Sequence, residues 1–298
     1  MVTVRRLLQI SVLCAAALLA AACTLTQLAY SNVSLAYNNA APMLSWMVAD
    51  YVDMSDDQKE FVRERFDRAF AWHRAQELPV YRRFFEKVLA QAEDNISVDE
   101  AATDYRDLRA YYHRAVERLL PDVADFLLGL DSLQAVQMEK RFSKDNAKMV
   151  SDAAETPGEE RREKRVERFA THLEQFVGSL TEPQRQMVAG YIASQSELVD
   201  ERLADRRHRQ AGVLAIVKSK PPREQAIAEL RRLFVDTESW RNLDYQRKIQ
   251  LRDRQLFGLI ARLSESLSPD QRTAFQRRVR GFMRDINEIT ASRAANAG

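Results

Sequence analysis

The sequence predicts an all-α protein, a bundle of about eight long amphipathic helices. Three observations lead there. The 298 residues include only 8 Gly and 8 Pro, well below the average usage of about 7% and 5%, so tight turns and helix breakers are scarce. Apolar residues recur at three- and four-residue intervals, and no alternating run bounded by turn residues marks a strand. One short signature also recurs: an apolar residue, then Ser, Thr or Asp, two further residues, and Gln.

Taken in chain order, the first element is a leader. Residues 1–22 carry Arg5 and Arg6, then an apolar run from Leu7 that ends Leu18-Leu19-Ala20-Ala21-Ala22 before Cys23. A positive start, an apolar stretch shorter than the ~20 residues of a spanning helix, and small residues before a cut site form the secretory pattern. The ending resembles the lipobox of bacterial lipoproteins, with Ala20 where Leu is commoner. That resemblance implies cleavage before Cys23 and a diacylglycerol and an N-acyl chain on that cysteine, a stable membrane anchor. Thr24, in place of the Asp that retains enteric-type lipoproteins in the inner membrane, implies the inner leaflet of the outer membrane, facing the periplasm. Cys14 leaves with the leader and Cys23 takes lipid, so the mature chain is expected to have no disulfide. The formal charge of +2 becomes zero without Arg5 and Arg6, which argues against nucleic acid as a partner.

Residues 23–50 read as a lipidated tether followed by a helix that docks on the bundle. The body, 51–293, is expected to be helical throughout, with a disordered tail at 294–298. Its helices are opened by Ser55-x-x-Gln58, Asp131-x-x-Gln134, Thr181-x-x-Gln184 and Ser268-x-x-Gln271, with Ser97-x-x-Glu100 as a cousin. Each is a capping box: the short side chain accepts from the backbone N–H three residues on, and the Gln or Glu reaches back to the cap's own N–H. Pro269 sits at a first helical position, where its missing N–H costs nothing. Further breaks are expected at Pro157-Gly158, at 219–222 and at Asp236-Thr237-Glu238. Apolar stripes follow the caps, such as Phe61, Phe66, Phe70 and His73, or Phe275, Val279, Phe282, Ile286 and Ile289. Two capping signatures fall in 54–155 and two in 180–293, a pattern that a duplication into halves would leave.

Two resemblances rest on these motifs. Trp46, Asp50-Tyr51-Val52-Asp53, Trp72-His73-Arg74 and Glu77-Leu78-Pro79 resemble a family of proteobacterial lipoproteins of unknown function, which implies the same anchor and no established activity. Leu180-Thr181-Glu182-Pro183-Gln184 and Leu267-Ser268-Pro269-Asp270-Gln271 are similar to the Leu-Thr-x-x-Gln tetrads of the Spy and CpxP group of helical periplasmic proteins. Spy is a chaperone that works without ATP.

The candidate polar site is Asp50, Asp53, Trp72, His73 and Glu77. His73 and Glu77 share a helix face, and the aspartates precede that helix. A metal or polar pocket is one reading. In the other, His73 packs at a helix interface, Glu77 pairs with Arg74 or Arg82, and the aspartates cap. Pro79 should kink its helix. His113, His172 and His208 read as surface or boundary histidines. Arg161-Arg162-Glu163-Lys164-Arg165 reads as a solvated face, and Arg277-Arg278-Val279-Arg280 as a surface for a solvated face or anionic lipid headgroups. There is no nucleophile turn, no Gly-rich phosphate loop and no HExxH, so no enzyme, metal or cofactor beyond the lipid on Cys23 is expected. The expected role is a membrane-anchored, non-enzymatic binding or chaperone-like envelope protein that holds clients or a partner complex. Alternatives are a structural or assembly lipoprotein and, behind it, a metal protein or enzyme.

Overall fold

A computed structural model describes residues 37–155 and 158–291. The leader, Cys14, Cys23 and Thr24, Pro157 and the tail expected at 294–298 lie outside the described residues. Among the described residues there is no strand, and the chain forms eleven α-helices. They are α1 (Ala40–Ala49), α2 (Asp56–Trp72), α3 (Leu78–Gln91), α4 (Val98–Leu128), α5 (Ser132–Ala154), α6 (Gly158–Val177), α7 (Glu182–Ala193), α8 (Val199–Ser219), α9 (Arg223–Phe234), α10 (Leu243–Ser266) and α11 (Pro269–Ala291). A π turn, His73–Glu77, joins α2 to α3, and a 3₁₀ turn spans Thr237–Ser239. None of these helices is long and apolar enough to cross a membrane.

Five helices start one residue after the expected caps at Ser55, Ser97, Asp131, Thr181 and Ser268. The count exceeds eight because two boundaries lack a sequence signal: the π turn that separates α2 from α3, and the break between α7 and α8, which has neither Gly nor Pro. The cap expected at Asp236 precedes only the 3₁₀ turn and makes no side-chain capping bond; α10 is opened instead by Asn242, whose side chain accepts from the backbone N–H groups of Asp244 and Tyr245. Pro79 also acts differently from a simple kink. The helix widens into the π turn just before it, and Pro79 then sits in the first turn of α3, where a missing N–H is tolerated.

The helices form two compact units, each drawn from three stretches of chain. The first takes the residues up to Gln76 with Ala110–Ala153 and Leu198–Arg241; the second takes Glu77–Arg109, Ala154–Glu197 and the residues from Asn242 on. The first has its own core, in which Leu44, Val52, Leu130, Met138, Leu230 and Val217 are almost wholly buried. Ala40, Ala41, Leu44 and Val48 of α1 enter that core. The second unit is centred on Ala170, Val188, Ile192 and Leu259, with Phe85 stacked on Phe282.

Each unit is fastened by two capping boxes joined head to head. In the first, Gln58 and Gln134 complete the boxes of Ser55 and Asp131. Their amides also bond each other, Gln58 Nε2 to Gln134 Oε1 at 3.1 Å and Gln134 Nε2 to Gln58 Oε1 at 2.6 Å. Each Nε2 donates further to a carbonyl two residues before the partner's cap, Gly129 O at 3.2 Å and Asp53 O at 2.8 Å. The second unit repeats every bond. Gln184 and Gln271 exchange two bonds of 2.9 Å, while Gln184 reaches Ser266 O at 3.1 Å and Gln271 reaches Ser179 O at 2.8 Å. The oxygen holds the helix's own cap and the nitrogen holds the neighbour's, so Gln134, Gln184 and Gln271 can be buried at little cost, while Gln58 is half-buried.

Close helix packing gives one paired prediction. A Cβ on Gly212 of α8 would lie 2.5 Å from Leu233 Cδ1 on α9, and Leu233 is wholly buried. Gly190 of α7 is exposed and has nothing within 4 Å of its Cβ position. Gly212→Ala should destabilise by about 1 kcal/mol or more through overpacking, whereas Gly190→Ala should stabilise by about 0.5–1 kcal/mol. Urea unfolding of the two variants checks the opposite signs.

Candidate functional site

The five residues of the expected polar site do not gather. Among the described residues, no group of three or more His, Cys, Asp or Glu is placed to hold a metal ion. Asp50 ends α1, exposed, with Arg141 at 3.4 Å. Asp53 is also exposed, and its backbone is what matters: its N–H donates to Gln137 and its carbonyl accepts from Gln134. Trp72 is half-buried at the end of α2. His73 and Glu77 are both buried, at the two ends of the π turn. Of the residues proposed as partners of Glu77, Arg74 donates to Asn38 at 3.1 Å and Arg82 pairs with Glu86 at 3.0 Å.

His73 is packed in the first unit. Its Nδ1 is 2.9 Å from the hydroxyl of Tyr37, whose ring meets Phe70 edge-on. Burial, helped by the neighbouring Arg74 charge, lowers its pKa to about 4. An unfolded imidazole titrates near 6.5, so between pH 4 and 6.5 the unfolded chain carries the extra proton. The stability is therefore full above pH 6.5 and is lost as the pH falls toward 4, by about 3 kcal/mol. Urea unfolding at several pH values should show that His73→Gln removes this part of the acid sensitivity. A variant as acid-sensitive as the parent would refute it.

The feature with binding geometry lies in the core of the first unit. An apolar cavity of about 80 Å³ is lined by 22 residues from α1, α2, α4, α5, α8 and α9 and the α1–α2 turn. Val62, Phe66, Leu119, Phe142 and Val213 are typical of its wall. The spacing of Phe61, Phe66 and Phe70 on α2 announced an apolar face; that six such faces leave a space between them was not readable.

Two of the lining residues, Arg209 and Gln210, belong to a buried polar network on α8, a helix whose buried residues also include Asp205 and Arg206. Asp205 accepts from both arms of Arg241, at 2.8 and 3.0 Å, and from Arg209. Burial alone would raise its pKa, but the bonds and charges of Arg241 and Arg209 outweigh it and hold the carboxyl below its usual range. Arg206 faces Asp145 at 3.9 Å, and its burial pushes the guanidinium pKa down. Tyr51 donates to Asp145 at 3.3 Å, and Arg241 and Arg209 lie over the Trp240 ring, which stacks on His208 at 4.2 Å. A sequence reading that sought His and carboxylate clusters passed over this helix. The available signal was charge on the inward face of an otherwise apolar stripe.

The basic clusters differ. Arg162 pairs with Glu159 and Lys164 with Glu160, all exposed, as a solvated face would. Arg278 instead lies over the Phe282 ring at 4.5 Å.

Among known proteins, the model of a family of unknown function (DUF6279) matches residues 50–247, two thirds of the chain. No curated protein and no solved structure matches.

Proposed function

The chain belongs to the DUF6279 family of unknown function, and we propose that it acts as a non-enzymatic binding protein anchored in the bacterial cell envelope. The anchor is the lipid on Cys23, and the body faces the periplasm from the inner leaflet of the outer membrane. The observation that carries the binding role is the apolar cavity in the first unit, whose lining also holds the polar side chains of Arg65, Asp122, Arg209 and Gln210. That combination is the usual form of a small-molecule site.

Met138 reports on occupancy, since it is buried and lines the cavity. In the full chain held in lipid-bilayer discs with ¹³C-methyl methionine, xenon should shift the Met138 methyl and leave Met283 of α11 unmoved. A Met138 methyl indifferent to xenon would mean that the interior admits no guest, and the binding role would fall. For the address, Cys23→Ala should leave the chain without acyl label and release it from the membrane fraction.

A second reading is a structural or assembly role in an envelope complex, or a chaperone-like hold on clients. It is favoured by Trp46, Leu133 and Val136, which are 66%, 66% and 55% exposed and leave apolar surface for a protein partner. Photo-crosslinkers at Trp46 and Leu133 that trap one envelope protein in cells would favour assembly. A broad mixture of unfolded proteins would favour the chaperone.

A further inference from the structure

One face of α5 is apolar, basic and open to solvent. Leu133, Val136, Lys140, Lys144, Ala147 and Val150 follow one another at three- and four-residue steps, so they line one side of the helix, and all six are exposed. The opposite side of α5 enters the core through Gln134, Ala135, Met138 and Phe142. Trp46, also exposed, flanks the open face. It lies one turn before Asp50 on α1, and Asp50 pairs with Arg141, between Lys140 and Lys144 in the chain.

The charge of this face is not balanced from within. Among the described residues, the side chains of Lys140 and Lys144 have no ion-pair or hydrogen-bond partner. Every carboxylate of α5 is engaged: Glu139 with Lys218 at 2.7 Å, Asp145 with Tyr51 and Arg141, and Asp152 with Lys148 at 2.8 Å. A negative surface would complement the two free ammonium groups.

Two arguments make that surface a bilayer and not a protein. Lysine is depleted in protein interfaces. At a membrane its alkyl stem lies along apolar surface while the ammonium reaches the headgroups, and tryptophan favours the same depth. The second argument is reach. Residues 24–39, between Cys23 and α1, span at most ~60 Å when fully extended, so a lipid on Cys23 keeps Trp46 and its neighbours close to the membrane.

We propose, resting on the lipid anchor at Cys23, that α5 lies along an anionic bilayer surface. Leu133, Val136, Ala147, Val150 and Trp46 enter the boundary between headgroups and acyl chains, and Lys140 and Lys144 pair with the phosphates of anionic lipids. Each lysine raises the docked population about fivefold. The first unit then presents one fixed side to the membrane instead of swinging on its tether.

The test uses the full chain in bilayer discs of phosphatidylcholine with bromine on its acyl chains, alone or mixed with an equal part of phosphatidylglycerol. Bromine quenches tryptophan on contact, and Trp46 is exposed where Trp72 and Trp240 are half-buried. Emission should be quenched in the anionic discs and less in phosphatidylcholine alone. Trp46→Phe should remove most of that difference. Lys140→Gln combined with Lys144→Gln should lower the docked-to-free ratio about 25-fold, with urea unfolding unchanged, and added salt should act in the same direction. The proposal is overturned if Trp46 escapes bromine and stays open to acrylamide from the water, if quenching ignores lipid charge or the lysine variant, or if Lys140 crosslinks to a second copy while bromine has no effect. An acyl label on Cys23, read on the same sample, separates this proposal from the anchor. A labelled chain with Trp46 unquenched keeps the anchor and loses the docking. An unlabelled chain quenched only with phosphatidylglycerol loses the anchor and keeps the docking. A chain neither labelled nor quenched loses both.

Discussion

Asp205→Ala is expected to cost about 3–5 kcal/mol, the range for removing one partner of a buried ion pair. The carboxylate is the common acceptor of Arg209 and Arg241, and its loss leaves two guanidiniums facing each other beside Trp240. Exposed pairs of similar length, such as Arg247 with Asp244 at 3.0 Å, are worth about 0–1 kcal/mol, so Asp244→Ala is the contrast. All three tryptophans, Trp46, Trp72 and Trp240, belong to the first unit. Denaturant unfolding followed by tryptophan fluorescence therefore reads that unit directly. A loss below about 1 kcal/mol would mean that the arginines find other anions or water, and that the network is not closed as described.

Gln184→Leu is the second large effect, and it falls on the other unit. The leucine keeps the volume and removes both ends of the amide. The Thr181 N–H, the Ser266 carbonyl and the Gln271 amide each lose a bond. Stranded buried polar groups cost about 1–3 kcal/mol apiece, partly relieved by relaxation, so about 3 kcal/mol is expected. Gln271→Leu should cost a similar amount. The double variant should cost less than the two together, by about 1–2 kcal/mol, because the second loss removes bonds already broken. Hydrogen exchange of the α7 and α11 amides measures this, while tryptophan fluorescence of the first unit should stay unchanged. Strict additivity would show that the two amides act as separate caps and not as one clasp.

The clasp also marks where sequence reasoning reached its limit. A capping box needs only an acceptor at its third position, so Glu serves, as Glu100 does for Ser97. Four of the five boxes use Gln instead, and Gln differs in carrying N–H donors. That choice was a readable sign of a second partner, although the pairing of 58 with 134 and of 184 with 271 was not. The same limit applied to the polar site. His73 and Glu77 lie at the two ends of the π turn, a local matter. Whether Asp50 and Asp53 join them depends on how α1 docks, and Asp50 instead faces Arg141 on α5.

By itself, the sequence determined the helical class and the starts of five helices. These rest on interactions within four residues along the chain, where spacing and cap chemistry decide the outcome. Only the tertiary structure decided the two interleaved units, the paired glutamines, the charged network on α8 and the cavity beside it. Each of these is made by residues dozens of positions apart, and whether six apolar faces close completely or leave a space is a matter of packed volume that no single stretch of sequence carries.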